Sequence, residues 1–280
     1  MNPNPPVRRS PIAGAWYPSN PEVLRSEIDG YIDAASESTL SGEVIGLIAP
    51  HAGYFYSGHT AGYAYRSVKG MSFDTCAIFS PLHDYMPNNF LTSAHEAYAT
   101  PLGQVPVDHE LVEACSRSVE SATGDTLQHI ANDREHSLEI QLPFLQCALA
   151  APFTLLPVMV RTHDPVLLET AAKAIAECLK GKNILFVAST DLSHFYDEQE
   201  ANTLDTTMLN RMTAFAPEGV LKAERCGDGF ACGAGAVALM LWTTRFLGAS
   251  QVTLLHHSTS ADASGDSSRV VGYGALAVTR

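Results

Sequence analysis

Eleven histidines and six cysteines stand in this 280-residue chain, and several occupy positions where chemistry is usually done. His51 directly follows the apolar run Val44 to Pro50. His83 comes two residues after the run Thr75 to Pro81, and Asp191 and His194 follow the run Ile184 to Ser189. Continuous apolar runs of this length are expected as buried central strands. Ligand sites in open α/β sheets form in the crevice beyond the carboxyl ends of such strands. Three strand ends therefore bring metal-capable or proton-transferring groups to one edge of the sheet. Any single histidine of the set reads equally well as a hydrogen-bonded loop or core residue. Their convergence is what favours a site.

The segment Cys226 to Leu241 adds a thiol. It is glycine-rich and then turns into an apolar helix, with Cys232 at or near the helix N-terminus, where the dipole is expected to lower a thiol pKa. Cys226 is a rival for the same role, and a small core thiol is the structural alternative for either. Two imidazoles and a thiolate suit iron, copper or zinc and suit magnesium or calcium poorly. Glu135, His136 and Glu139 form a further cluster. On a helix the two carboxylates would share a face, with His136 at its edge. Such a group could orient a ligand histidine, or it could be a solvated helix start. Gly53 and Gly58 permit tight backbone behind His51. Tyr54 and Tyr56 are offered as pocket walls, with core packing as the alternative, and Phe55 is expected in the core.

These residues need a frame to position them, and the rest of the chain supplies one. Further strands are expected at Phe153 to Val160, Val252 to Ser258 and Val270 to Val278, the last with a bulge or close backbone approach at Gly272 and Gly274. Helices are expected over Pro21 to Ala35, capped by Ser19 or Asn20, and over Asp164 to Lys180, capped by its aspartate. Two more are expected over Asn202 to Phe215 and Cys232 to Leu247. The segment from His136 to Leu149 should be a helix kinked or broken at Pro143. No repeat or linker marks a boundary. The expected architecture is one α/β domain spanning 1–280, with helices on both faces of a mostly parallel sheet.

Composition narrows the functional classes. Seventeen Lys+Arg against thirty Asp+Glu give a net charge of −13, which disfavours a broad basic face for nucleic acid or an anionic membrane. No apolar run is long enough to span a bilayer, and the start of the chain lacks a secretory stretch. Six scattered cysteines without a CxxC pair suit reduced thiols in a cytoplasm. The expectation is a soluble cytoplasmic protein that binds neither nucleic acid nor membrane.

Taken in order, AGAWYPS, LIAPHAGYFYSG, FSPLHDY, EHSLEIQLPFL, STDLSH and ACGAGAVALML resemble the Memo family, whose prokaryotic members are called AmmeMemoRadiSam system protein B. The resemblance runs from about Ala13 to the C-terminus and leaves residues 1–12 as an expected flexible extension. It implies a three-layer α/β/α fold like that of the LigB-like class III extradiol dioxygenases. It implies metal ligation by His51, His83 and Cys232, with Cys226 the fallback thiol. Asp191 and His194 would line the site, His194 as acid/base oriented by Asp191, while Glu135, His136 and Tyr54 would stand behind the ligands. The implied metal is iron (Fe2+) before copper or zinc, and the implied activity is metal-dependent, dioxygenase-like redox chemistry on an unknown small molecule or peptide. A thiolate in place of the carboxylate ligand of extradiol enzymes argues against routine catechol cleavage. The alternatives are a non-catalytic signalling module with radical-SAM and AMMECR1-type partners, and zinc-dependent hydrolysis. Leu82, Asp84 and Ala236 depart from the family pattern and bear on substrate fit.

Overall fold

The computed structural model describes residues 6–36 and 39–280. The first part of the chain runs β1 (Val7–Arg8), α1 (Pro21–Ala34), β2 (Val44–Ala49), α2 (Tyr54–Arg66) and β3 (Thr75–Pro81). Then come β4 (Phe90–Ser93), β5 (Ala97–Thr100), β6 (Gly103–Pro106), α3 (His109–Thr123), β7 (Leu127–Ile130) and α4 (Gln141–Ala148). They are followed by β8 (Thr154–Val160), α5 (Pro165–Leu179), β9 (Ile184–Ser189), β10 (His194–Tyr196), α6 (Glu198–Thr213) and α7 (Pro217–Cys226). The chain closes with α8 (Ala234–Phe246), β11 (Gln251–Thr259), α9 (Ala261–Ser264) and β12 (Val270–Thr279).

All six apolar runs are strands. The main sheet has the order β10-β12-β2-β9-β3-β8-β4-β7, with β11 also paired to β12. Its centre, β2-β9-β3-β8, is parallel. Antiparallel pairings of β12 with β2, β10 and β11, and of β4 with β8, make the whole sheet mixed. The parallel centre explains the sequence pattern: β2, β3 and β9 are buried at every residue, as strands covered on both faces must be. A small second sheet pairs β1, β5 and β6.

Helices cover the sheet through spaced apolar residues. In α1, Asn20 caps the first turn by accepting from the backbone N–H groups of Glu22 and Val23 at 2.9 and 3.0 Å. That helix buries Leu24, Ile28 and Ile32, each contributing roughly 1.5–3 kcal/mol. Asp164 caps α5 in the same way. One hydrophobic cluster runs from Ile12 to Val278. Among the described residues no helix is long and apolar enough to cross a membrane.

Several expectations change. Residues 132–136 are irregular and 137–140 form turns, so Glu135 and Glu139 share no helix face; α4 begins only at Gln141. Pro143 then falls in the first turn of that helix, where its missing N–H leaves no bond unmade, and no break results. The expected flexible extension 1–12 is only partly described, with Pro6, Arg9 and Pro11 exposed and two of its residues buried. Arg8 is buried in β1, and Ile12 joins the core. Residues 1–5 of that extension lie outside the described residues.

Candidate metal centre

His51 stands one residue beyond Pro50, where β2 gives way to α2, and its side chain is buried. Its backbone N–H donates to Asp191 Oδ1 at 2.7 Å. Its ring Nδ1 lies 3.0 Å from Ser189 Oγ at the end of β9, which leaves Nε2 as the ring's outward nitrogen. Burial, and then the neighbouring His136 and His83, push the His51 pKa well down, so the imidazole is neutral and able to ligate.

His83 follows β3 and is held by one carboxylate twice. Its backbone N–H donates to Glu135 Oε2 at 2.6 Å, and its Nδ1 lies 3.0 and 3.1 Å from the two Glu135 oxygens. Hydrogen bonding to Glu135 raises the His83 pKa. Glu135 is itself buried, and burial alone would raise its pKa. The bonds from His83 and from the Ser137 backbone overcome this and hold the carboxyl far below the usual range. Here again the Nδ1 anchor leaves Nε2 outward, as in metal-ligating histidines backed by a carboxylate.

His136 completes the group. Its ring stacks on His83 with centroids 4.7 Å apart and planes 16° from parallel, and it packs against Trp16 at 4.2 Å. Burial pulls its pKa down to about 4. His51, His83 and His136 together offer ligand atoms that all lie within 4.8 Å of one another, a group that could hold a metal ion. The loop carrying Glu135 and His136 is pinned by Arg8. That guanidinium donates to Glu139 at 2.5 Å, to Asp133 at 2.8 Å and to the Glu135 carbonyl at 2.6 Å. Tyr17 adds a hydroxyl bond to Glu139 at 2.7 Å, and Ser10 also donates to it.

Cys232 comes in from a different direction. Its Sγ lies 3.0 Å from His51 Nε2 and accepts from the Asp191 backbone N–H at 3.2 Å. The thiol sits two residues ahead of α8, as the glycine-rich stretch suggested. Gly233 makes the approach feasible: a Cβ there would meet the Ser189 carbonyl at 2.4 Å. The expected dipole effect on the thiol does not prevail. Burial, followed by the Asp191 carboxylate, pushes its pKa up. Cys226 is exposed at the end of α7, whereas Cys232 touches His51.

Other expected residues fall differently. Asp191 is buried, and burial raises its pKa to about 7. It holds the backbone at His51 instead of orienting His194. The His194 ring is set by the Leu192 carbonyl, 2.8 Å from Nδ1, which fixes the proton there and leaves Nε2 free. Tyr54 is a core residue: its hydroxyl donates to the Ile140 carbonyl at 2.7 Å, and its ring packs on Tyr17 and Phe144. Phe55, expected in the core, is 66% exposed because it lies on the outer face of α2. Tyr56 does line the cleft.

A cleft of about 690 Å³ opens over the histidines, walled by Trp16, His136, His194, Phe195 and Arg269 among others. Phe195 has a positive φ of 67° and is 62% exposed, with the Arg269 guanidinium 5.3 Å above its ring. Trp16, Ser189 and Arg8 were missed in the sequence as parts of the site. The AGAWYPS segment carried the signal for Trp16. Nothing local marks Arg8, whose partners lie about 130 positions away in the chain.

The chain has relatives among known proteins. The chain is 33% identical over 285 residues to a MEMO1 family protein of Methanopyrus kandleri, covering 98% of this chain and 100% of that one. It is 35% identical over 279 residues to a MEMO1 family protein of Thermotoga neapolitana, covering 95% and 98%. A Nitrosopumilus maritimus member is 31% identical over 277 residues, covering 96% and 98%. The sequence profile of the Memo-like protein family matches residues 8–277, and the chain belongs to the Memo family.

Proposed function

We propose that the cleft is the mononuclear metal site of a metal-dependent oxidoreductase, dioxygenase-like in chemistry, with iron as its metal before copper or zinc. The observation that carries this reading is the pair of anchored rings. His51 and His83 each have Nδ1 engaged, by Ser189 and by Glu135, so that both Nε2 atoms are left to ligate. Nitrogen and sulfur donors suit iron, copper and zinc and not magnesium or calcium. Cys232 is the third donor in this reading, because its sulfur already meets His51 Nε2 at 3.0 Å. His136, whose ligand atom also lies within 4.8 Å of those of His51 and His83, is the rival third donor, and in this reading it shapes the cleft. A bound iron would supply one-electron chemistry and open positions for oxygen or substrate.

The chain's own residues have separate tasks. His194 presents a free Nε2 into the cleft and can take or give a proton there. Asp191 fixes the backbone of His51. Trp16 packs on His136 and closes one side of the cleft. In this reading the α/β architecture is LigB-like, and a donor set without a carboxylate points away from routine catechol cleavage. The test is metal analysis of tag-free protein. His51→Ala and Cys232→Ser should both lose stoichiometric iron or copper, and His136→Ala should keep most of it. Retention in Cys232→Ser with loss in His136→Ala would replace the thiol by the third histidine.

A second reading has its own observation. Phe195 with Arg269 above it forms an exposed aromatic and cationic lip at the cleft mouth. Such a lip suits docking of a peptide or partner of radical-SAM or AMMECR1 type without turnover. Oxygen consumption by iron-loaded protein separates the two. Turnover abolished by His194→Ala supports the oxidoreductase, and none with metal retained supports the binding module.

A further inference from the structure

The thiols outside the cleft hold a second arrangement. Cys115, buried in the middle of α3, and Cys178, partly exposed near the end of α5, approach with their sulfurs 3.6 Å apart. Both are free thiols, and Cys115 donates to Cys178. A disulfide needs about 2.05 Å between sulfurs, so closure requires the two to approach by roughly 1.6 Å. The two sulfurs differ in access. Cys178 faces a groove of about 830 Å³ between the helices, lined also by Arg117, Ser118 and Lys173. Cys115 has no such opening and can react only through its partner.

The surroundings favour a thiolate on the accessible sulfur. Cys178 sits at the C-terminal end of α5, where the helix dipole opposes negative charge. The hydrogen bond from Cys115 comes first among the influences that outweigh this, joined by Ser118 and by the charges of Lys182 and Arg117; together they draw the Cys178 pKa down to about 6. The same contact, followed by burial, pushes the Cys115 thiol up. Cys147 is a useful contrast, because burial raises it to about 11 despite Arg25 nearby. The local cations are notable on a chain of net charge −13.

We propose that Cys115 and Cys178 form a thiol–disulfide exchange site for a small anionic disulfide, with Cys178 as the attacking sulfur and Cys115 as the resolving one. The Cys178 thiolate attacks one sulfur of the ligand, the ligand's S–S bond breaks, and its other half leaves as a thiolate that takes a proton from water. Cys115 then gives its proton to solvent and attacks Cys178. The mixed disulfide breaks, a Cys115–Cys178 bond forms, and the second half of the ligand departs. Two electrons pass from the protein thiols to the ligand, which is reduced to two thiols. Arg117 and Lys173 line the groove with one carboxylate, Glu177, against them, and Lys182 also acts on Cys178, so the cations outnumber the acid and favour an anionic ligand. The site shares no residue with the metal cleft and stands independently of the reading given for it.

The experiment treats the full chain with oxidised glutathione at pH 6, quenches by alkylation and maps the peptides. Expected is a Cys115–Cys178 linked peptide, with Cys178 reacting several-fold faster than the exposed Cys226, because Cys178 has a donor thiol against its sulfur and cations beside it. Cys115→Ser should stop at one glutathione on Cys178, and Cys178→Ser should leave Cys115 unmodified. The cationic disulfide cystamine should react several-fold more slowly at low salt. Labelling of Cys226 ahead of Cys178, or a glutathione adduct that persists on Cys178 in the unmutated chain, would overturn the exchange site. Equal rates for the two disulfides would overturn its anionic preference.

Discussion

His51, His83 and His136 form one histidine group of this chain, and His59, His256 and His257, carried on α2 and β11, form another. By residue type and crowding the two look alike: ring centroids stand 4.7–5.4 Å apart in the first group, and His59 and His256 stand 5.2 Å apart in the second. Their anchors differ. In the first group Ser189 and Glu135 take the Nδ1 atoms and leave the Nε2 atoms outward. In the second, His256 spends Nδ1 on Thr60 and lies flat on Tyr63 at 4.1 Å. His257 spends Nε2 itself on the buried Asp205 at 2.9 Å. A ligand site is made by free nitrogens aimed at one point, and that requires partners for the other nitrogens; a high local count of histidines does not suffice.

The largest expected effect tests that contrast directly. His51→Ala should weaken iron or copper binding at least about 100-fold, because a donor is lost along with the ring that Cys232 meets. His256→Ala should bind metal as the unmutated chain does. Equal loss in both variants, read by metal content after exhaustive dialysis, would erase the distinction between the groups.

Next comes the support beneath the first group. Arg8 is buried between Glu139 and Asp133 and holds the loop that carries Glu135 and His136. Arg8→Ala leaves those carboxylates without their counter-charge and should cost about 3–5 kcal/mol, seen as a lower denaturant midpoint. A change below about 1 kcal/mol would mean that the loop is held by its other contacts.

Glu135→Gln is a finer cut. The amide keeps the size of the side chain and can still accept a bond, but it loses the charge that fixes the His83 tautomer. Metal affinity should fall about 10–100-fold, as for other partners behind ligand histidines. No histidine of the second group rests on a carboxylate in this way with its outer nitrogen free, so affinity unchanged in this variant would weaken the account of anchors.

How much of this was legible in the sequence follows from how local each interaction is. The six strands declared themselves because a strand covered on both faces must be apolar at every position, as β2, β3 and β9 are. Helix caps at Asn20 and Asp164 were legible because the bonds span only two or three residues. The strand-end rule located His51, His83 and His194. Helix α2 was missed, since Gly58 and Gly62 depress helix propensity and only the packed Tyr31 explains them. The conformation around His136 was misread for a related reason. EHSLEI has a helical spacing of carboxylates, but Arg8, 127 residues upstream of Glu135, fixes that segment as an irregular loop. Composition cannot reveal a bond of that range.

The smallest effect is the most discriminating about the second group. His256→Ala removes a ring stacked on Tyr63, worth about 0.5–1.5 kcal/mol beyond area burial. The Thr60 hydroxyl loses one partner and keeps another, Ser258 Oγ, so no buried polar group is stranded. Stability should therefore fall by about 1 kcal/mol, with metal content untouched. A larger loss would show that the second group carries packing well beyond its stack. A loss of metal would show that it reaches the cleft through α2, whose first turn begins three residues after His51 and which carries His59 and Thr60 further along.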